Sequence, residues 1–307
     1  MSQCNVASNV KKYTVISDLP TNILHKILEL IPIQDAAKTS ILSKRWRKLW
    51  STQPHLVFDR HFFQYVSTKD ASAASIIHKI LVQHIGPVLG FHLISKTDTL
   101  SQSDVNQCII FVSNHGIQKL TLDMANDEKY ALPYGLFTCA TLTHLKLSWC
   151  FFELPEDSQF PNLVSLQLEH SELDGHAGSD ENYLILPMLE TLELRFCVDV
   201  DCVDIVSPNL VNLSIISSYT VTFECFNVNP IFRRIKHLCL DGSSLKISVK
   251  HISSALCLVR SSPDLRDLDV DEVVEMENKN ARSSSEHLKE LISYSRASPK
   301  AKIKYLD

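Results

Sequence analysis

Thirteen histidines and nine cysteines are the residues of this chain best suited to metal or covalent chemistry, yet their spacing supports neither. There is no Cys-x-x-Cys and no His-Glu-x-x-His, so zinc-type ligand spacing is absent. A thiol nucleophile needs a neighbouring base, and the sequence places none beside Cys150, Cys197 or Cys239. There is no Gly-x-Ser-x-Gly and no phosphate-cradling loop, in a chain with only seven glycines. No catalytic residue, metal or cofactor is expected. What remains is non-covalent recognition by polar side chains that alternate with leucines. These are Lys119, Thr121, His144, Lys146, Gln167, Glu169, Glu193, Arg195, His237, Asp241, Asp267 and Asp269.

The element that must position them is a repeated strand, apolar-x-x-apolar-x-apolar. Its copies run from Ile117-x-x-Leu120-x-Leu122 to Leu265-x-x-Leu268-x-Val270, with a weaker one at Val88-x-x-Phe91-x-Leu93. The central residues from Phe91 to Leu268 recur at intervals of 29, 25, 21, 26, 21, 25 and 30. Such periods write a solenoid, and they fall within or next to the leucine-rich-repeat range of about 20–29. Three residues beyond the last strand leucine stand Ala125, Cys150, Ser171, Cys197, Ser218 and Ser243, small enough to bond a turning backbone. Pro161, Pro187, Pro208 and Pro263 precede four of the strands and fix the entering backbone. Alternation sends the leucines inward and the residues between them to a concave face. Its central row reads His92, Thr121, Lys146, Gln167, Glu193, Ser214, Cys239 and Asp269. Cations (Lys119, Lys146) lie toward one end and Asp241, Asp267, Asp269 and Asp271 toward the other, which predicts a polarised groove.

Composition narrows the class. Net charge is -5, without the basic surplus of a general nucleic-acid binder. No apolar run reaches the roughly 18 residues that would span a bilayer. The first residues are polar, and an odd set of nine cysteines does not write a disulfide framework. Cytoplasm and/or nucleus is the expected location, with neither nucleic acid nor membrane as partner. The Asn-x-Ser at Asn212 lies in a predicted strand and is expected to be silent.

Residues 16–50 predict three short helices. Ser17 and Asp18 suit a cap and Pro20 a first turn, after which Ile23, Leu24, Ile27, Leu28 and Ile31 recur at helical spacing. Asp35 and Ser43 suit the starts of the second and third helices. So small a unit makes a poor core alone and should lean on a neighbour. Residues 71–85 predict another amphipathic helix through Ala74, Ile77, Leu81 and Ile85, and 67–75 and 95–104 read as loops.

The helical unit resembles an F-box. The match runs through Ile16-Ser-Asp-Leu-Pro20, Ile33-Gln-Asp35-Ala36-Ala37 and Leu42-Ser43-Lys-Arg-Trp46-Arg-Lys-Leu-Trp50. Phrases such as Phe160-Pro-Asn-Leu163, Ser207-Pro-Asn-Leu210 and Ala255-Leu-Cys-Leu-Val-Arg-Ser-Ser-Pro263 make residues 16–307 similar to the plant F-box/leucine-rich-repeat/FBD family. The resemblance implies an α/β chain, with a three-helix F-box followed by a solenoid whose parallel sheet lines the concave face. Its expected divisions are a disordered N-terminus (1–15), the F-box (16–55), a helical linker (56–87), repeats (88–271) and a truncated FBD-like segment (272–307). It also implies a non-catalytic substrate adaptor of an SCF-type ubiquitin ligase. The F-box would dock a Skp1-like protein, and through it cullin, by Leu19, Pro20, Ile23, Leu24, Ile27 and Ile31. The concave residues would hold an unknown protein substrate. A scaffold without a degradation role, or a receptor regulated by a small molecule, are the alternatives.

Overall fold

The leucines of the repeat meet in one register. In the computed structural model, Phe91 pairs with Leu120, Leu120 with Leu145, and the series continues through Leu166, Leu192, Leu213, Leu238 and Leu268. The structure describes residues 16–95, 99–124, 130–153, 160–174, 183–197, 204–216, 234–241, 262–271 and 302–306. Its strands are β1 (His55–Phe58), β2 (Gly90–Ser95), β3 (Lys119–Met124), β4 (Tyr130–Ala131), β5 (His144–Ser148), β6 (Cys150–Glu153), β7 (Ser165–Glu169) and β8 (Glu172–Asp174). There follow β9 (Tyr183–Ile185), β10 (Thr191–Arg195), β11 (Asp204–Val206), β12 (Asn212–Ile216), β13 (His237–Asp241), β14 (Asp267–Asp271) and β15 (Lys302–Leu306). Ten of them form one sheet in the order β1-β2-β3-β5-β7-β10-β12-β13-β14-β15, parallel at every pairing. The predicted α/β class and parallel sheet are what the chain forms.

The sheet reaches beyond residues 88–271 at both ends. The stretch expected as a helical linker instead opens within β1, whose Leu56 pairs with Phe91. It then holds the helices α4 (Arg60–Val66) and α5 (Ala73–Gln83). His55-Leu-Val-Phe58 is too short to show a period, and its place comes from pairing with β2. At the other end β15 pairs with β14. The rest of the expected FBD-like segment, 272–301 and 307, lies outside the described residues, as do 1–15 and the turn positions Ala125, Ser218 and Ser243.

Each strand buries its leucines. Leu145, Leu147, Leu166, Leu168, Leu192 and Leu194 are each at most 1% exposed, and each such burial contributes roughly 1.5–3 kcal/mol. Behind the sheet the first repeat carries α6 (Gln102–Ser113), which buries Val105, Cys108, Ile109 and Val112 at helical spacing. Residues 95–104 had read as a loop. Ser101 and Asp104 instead form a reciprocal capping box that starts α6: Ser101 Oγ accepts from the Asp104 N–H, and the Asp104 carboxylate accepts from the Ser101 N–H. Between later strands of the sheet short extended pieces take this layer instead, pairing β4-β6-β8 and β9-β11. A repeat of 21 residues has no room for a twelve-residue helix.

The prolines enter tight turns rather than the strands themselves. Leu163, Leu189, Leu210 and Leu265 each donate an N–H to the carbonyl three residues back, with the proline next after that carbonyl. This is the second position of a β-turn, where proline's fixed φ fits. The asparagine after two of them links repeats. Asn162 Nδ2 donates to Ala140 O at 2.7 Å, and Asn209 Nδ2 to Pro187 O at 2.7 Å. Asn209 Oδ1 also accepts from Arg234 at 2.6 Å. We expect Asn209→Ala to lower stability by about 1–2 kcal/mol, from two hydrogen bonds of about 0.5–1.5 kcal/mol each. Urea unfolding with an unchanged slope checks it.

Candidate functional site

The N-terminal unit comprises α1 (Thr21–Glu29), α2 (Ile33–Thr39) and α3 (Lys44–Ser51). Ser43 caps α3 by accepting from the Trp46 N–H, as its sequence position predicts. Asp35, by contrast, lies inside α2, where its carboxylate pairs with Lys38. Leu24, Leu28, Ala36, Trp46 and Leu49 make a small core of their own. Trp50 packs against this core and against the solenoid core, and Ile33 belongs to the latter. A 2.6 Å pair between Glu29 and His55 adds a polar tie from α1 to β1. The unit therefore leans on its neighbour, as its small core requires.

Of the six residues proposed for docking, five reach or approach the surface. Pro20, Ile23 and Ile31 are exposed, and Leu19 and Ile27 are half-buried against the small core. Leu24 is withdrawn from the face: its side chain is fully buried. At helical spacing Leu24 and Leu28 fall on the inner side of α1, and Ile23 and Ile27 to one side of them. Arg45 donates to Leu19 O at 2.7 Å and pins the leading Leu-Pro against α3. Sequence reading missed Leu30, Ile41 and Leu42, which are 85%, 80% and 65% exposed. They lie at the ends of α1 and α2, where no helical period points to them.

The second surface is the open face of the sheet. Thr121, Lys146, Gln167, Glu193, Ser214, Cys239 and Asp269 occupy one continuous row, as spacing predicts. Beside it run Lys119, His144, Ser165, Thr191, Asn212, His237 and Asp267 on one flank. Glu169 and Arg195 are partners on the other flank. Lys119, His144, Lys146, Arg195 and His237 are exposed, and Thr121, Gln167, Glu169, Glu193, Asp267 and Asp269 half-buried. Asp241 closes β13; its side chain lies outside the described residues. Lys146, Gln167, Glu169, Glu193 and Arg195 line a depression of about 220 Å³, in which Glu193 and Arg195 form an ion pair.

The polarity of this face is less simple than the sequence suggests. His237 pairs with Asp267 at 2.8 Å. The added strand β15 sets Lys302 beside Asp267 and Lys304 beside Asp269 in the register. Asp267 thus stands between His237 and Lys302, and Asp269 between Cys239 and Lys304. At the other end, burial first and the Lys119 charge second hold His144 below the ordinary histidine value. His92 is lowered by burial, then by His55 and Lys119. Both imidazoles are held neutral, so their contribution to stability is full above about pH 6.5 and is lost as pH falls through the depressed values. Lys119→Met should raise both titration midpoints in an NMR titration, as Lys119 repels each imidazolium.

Beyond three of the strands runs an aromatic ladder that sequence reading did not single out. Trp149 stacks on His170 with centroids 4.5 Å apart, and His170 on Phe196 at 4.7 Å. All three residues have left-handed backbones, with φ of 61°, 48° and 51°, a conformation costing about 1–2 kcal/mol per residue. Two things offset it: stacking of about 0.5–1.5 kcal/mol per pair, and an N–H bond from each residue to the next repeat's last strand carbonyl. The readable signal was an aromatic ring before the small turn residue, as in Trp149-Cys150, His170-Ser171 and Phe196-Cys197. The turn residues act as spacing predicts. Ser171 Oγ accepts from Cys150 N at 3.3 Å and donates to Glu169 O at 3.0 Å. Cys150 and Cys197 are buried, and burial pushes the Cys150 thiol far up, away from nucleophilic use.

Among the described residues no three of His, Cys, Asp and Glu converge as a metal site requires, and no helix is long and apolar enough to cross a membrane. Comparison with known proteins agrees with the two-part architecture. Residues 16–58 match the F-box domain. Residues 105–292, more than half of the chain, match the leucine-rich repeats of FBD-associated F-box protein At5g56370. The chain is similar to F-box/FBD/LRR-repeat protein At1g13570 of Arabidopsis thaliana, with 35% identity over 64% of this chain and 48% of that protein. It is 27% identical to the same plant's F-box/LRR-repeat protein At3g26922, over 95% of this chain and 93% of that one. FBD-associated F-box protein At5g38590, also from that plant, is 30% identical over 83% of this chain and 61% of its own length. The chain spans about half the length of At1g13570 and nearly all of At3g26922. With its helical unit, its register and these matches in agreement, the chain belongs to the FBD-associated F-box/leucine-rich-repeat family.

Proposed function

We propose that this protein is the substrate-recognition adaptor of an SCF-type ubiquitin ligase. The F-box docks a Skp1-like subunit and through it cullin, while the open sheet face holds a target protein. One observation carries the reading: the F-box keeps its own small core yet leaves Pro20, Ile23 and Ile31 exposed, beside a solenoid whose polar rows are in register. The docking face consists of Pro20, Ile23 and Ile31 with Leu19 and Ile27 at its edge. The concave residues from Lys119 to Asp269 form the substrate face.

The mechanism is positioning. The adaptor forms no covalent bond; it raises the effective concentration of substrate lysines near the ubiquitin-charged conjugating enzyme. Cytoplasm or nucleus suits this role, and the described cysteines, none in a disulfide, suit a reducing compartment. The test is proximity labelling in the native tissue, comparing the intact chain with one lacking α1 to α3 (residues 16–51), which keeps β1. Proteins labelled by both are substrate candidates, and their half-lives should lengthen only with the deletion. Unchanged half-lives of every candidate would favour a scaffold with no degradation role.

A further inference from the structure

A cavity of about 640 Å³ lies between α3 and α5, where the F-box meets the solenoid. That is within the size range of small-molecule sites, about 300–1,000 Å³. Its apolar wall is Trp50, Ile80 and Ile85, and its polar rim is Lys44, Arg47 and Lys48. These cations stand at i, i+3 and i+4 of one helix, hence on one side of it, where like charges repel. No carboxylate lines the cavity, and none pairs with the three cations among the described residues. The inner wall adds His84, buried, whose Nε2 donates to Gln53 O at 2.9 Å. A carbonyl only accepts, so Nε2 carries the hydrogen, and Nδ1 is left without a hydrogen-bond partner.

We propose that this cavity binds a small amphipathic anion, an aliphatic or aromatic carboxylate or sulfonate. Its acid group meets Lys44, Arg47 and Lys48, and its hydrocarbon lies on Trp50, Ile80 and Ile85. A neutral apolar molecule would leave the three cations unanswered. A polyanion without hydrocarbon would leave the apolar wall in water. An occupant touching both α3 and α5 ties the F-box to the solenoid, and its binding free energy adds to the stability of that junction.

The probe is 8-anilinonaphthalene-1-sulfonate with the full chain, read by fluorescence titration. One saturable site is expected, displaced by decanoate but not by decanol. N-phenyl-1-naphthylamine, the uncharged relative, should bind at least tenfold more weakly. The variant Lys44→Gln/Arg47→Gln/Lys48→Gln, whose changes lie on the surface, should lose about tenfold in affinity with its circular dichroism melt unchanged. Ile80→Trp, which fills the cavity, should abolish the site, and decanoate should raise the melting temperature of the wild type but not of this variant. Absence of a saturable site, equal affinity for the uncharged probe, or unaltered binding by the triple variant would each overturn the proposal.

Discussion

Leu192→Ala is expected to destabilise the chain by about 2–5 kcal/mol, the range for deleting a buried leucine side chain. Leu192 has no solvent exposure and sits in β10, paired with Leu166 on one side and Leu213 on the other. In a stack of repeats, stability is a sum of repeat terms and interface terms between neighbours. A cavity at Leu192 weakens two interfaces together, so the loss should lie in the upper part of the range. Leu192→Met keeps the volume and should cost less than about 1.5 kcal/mol. Lys146→Ala, on the open face, should stay within about 0.5 kcal/mol. Urea unfolding separates the three. A loss below about 1 kcal/mol for Leu192→Ala would mean that the repeats do not share one core.

The second large effect is on docking. Ile23→Asp/Ile31→Asp should abolish binding of a Skp1-like subunit, a loss of a hundredfold or more, with the fold intact. Both residues are more than a third exposed and neither belongs to a core cluster, so the charges remain in water in the free protein. In a docked complex each carboxylate would be buried without a partner, which costs several kcal/mol. Leu19→Asp is a worse probe, because Leu19 packs on the F-box core and Arg45 holds its carbonyl. Leu24→Asp would unfold the unit outright. Ile41→Asp/Leu42→Asp asks whether the docking face extends past α2.

The repeat was legible because its period leaves little freedom. A strand alternates its faces, so naming the inward leucines also named Thr121, Lys146, Gln167 and Glu193 as outward neighbours. What spacing could not supply was contact across long separations. β1 is four residues, and only pairing with β2 makes it part of the sheet. β15 enters from the far end and alters the charge pattern around Asp267 and Asp269. Ile85, expected on the inner side of α5, lies beyond the helix end and is exposed. α6 was missed because Ser and Asp were read as loop composition, when their separation of three residues made them a cap. Leu24 illustrates a limit of pattern: an apolar stripe does not say which of its members face the partner and which the core. The aromatic ladder stands outside both periods, on turn residues whose left-handed backbone no propensity announces.

The central claim is that the N-terminal helices dock a Skp1-like subunit while the repeats remain free to hold a target. The most direct measurement mixes the purified chain with a purified plant Skp1-like protein and reads mass by light scattering across a size-exclusion column. A one-to-one complex is expected, absent for Ile23→Asp/Ile31→Asp and retained for Asp267→Lys/Asp269→Lys on the sheet face. No complex with the wild-type chain, or one lost only in the sheet-face variant, would contradict it.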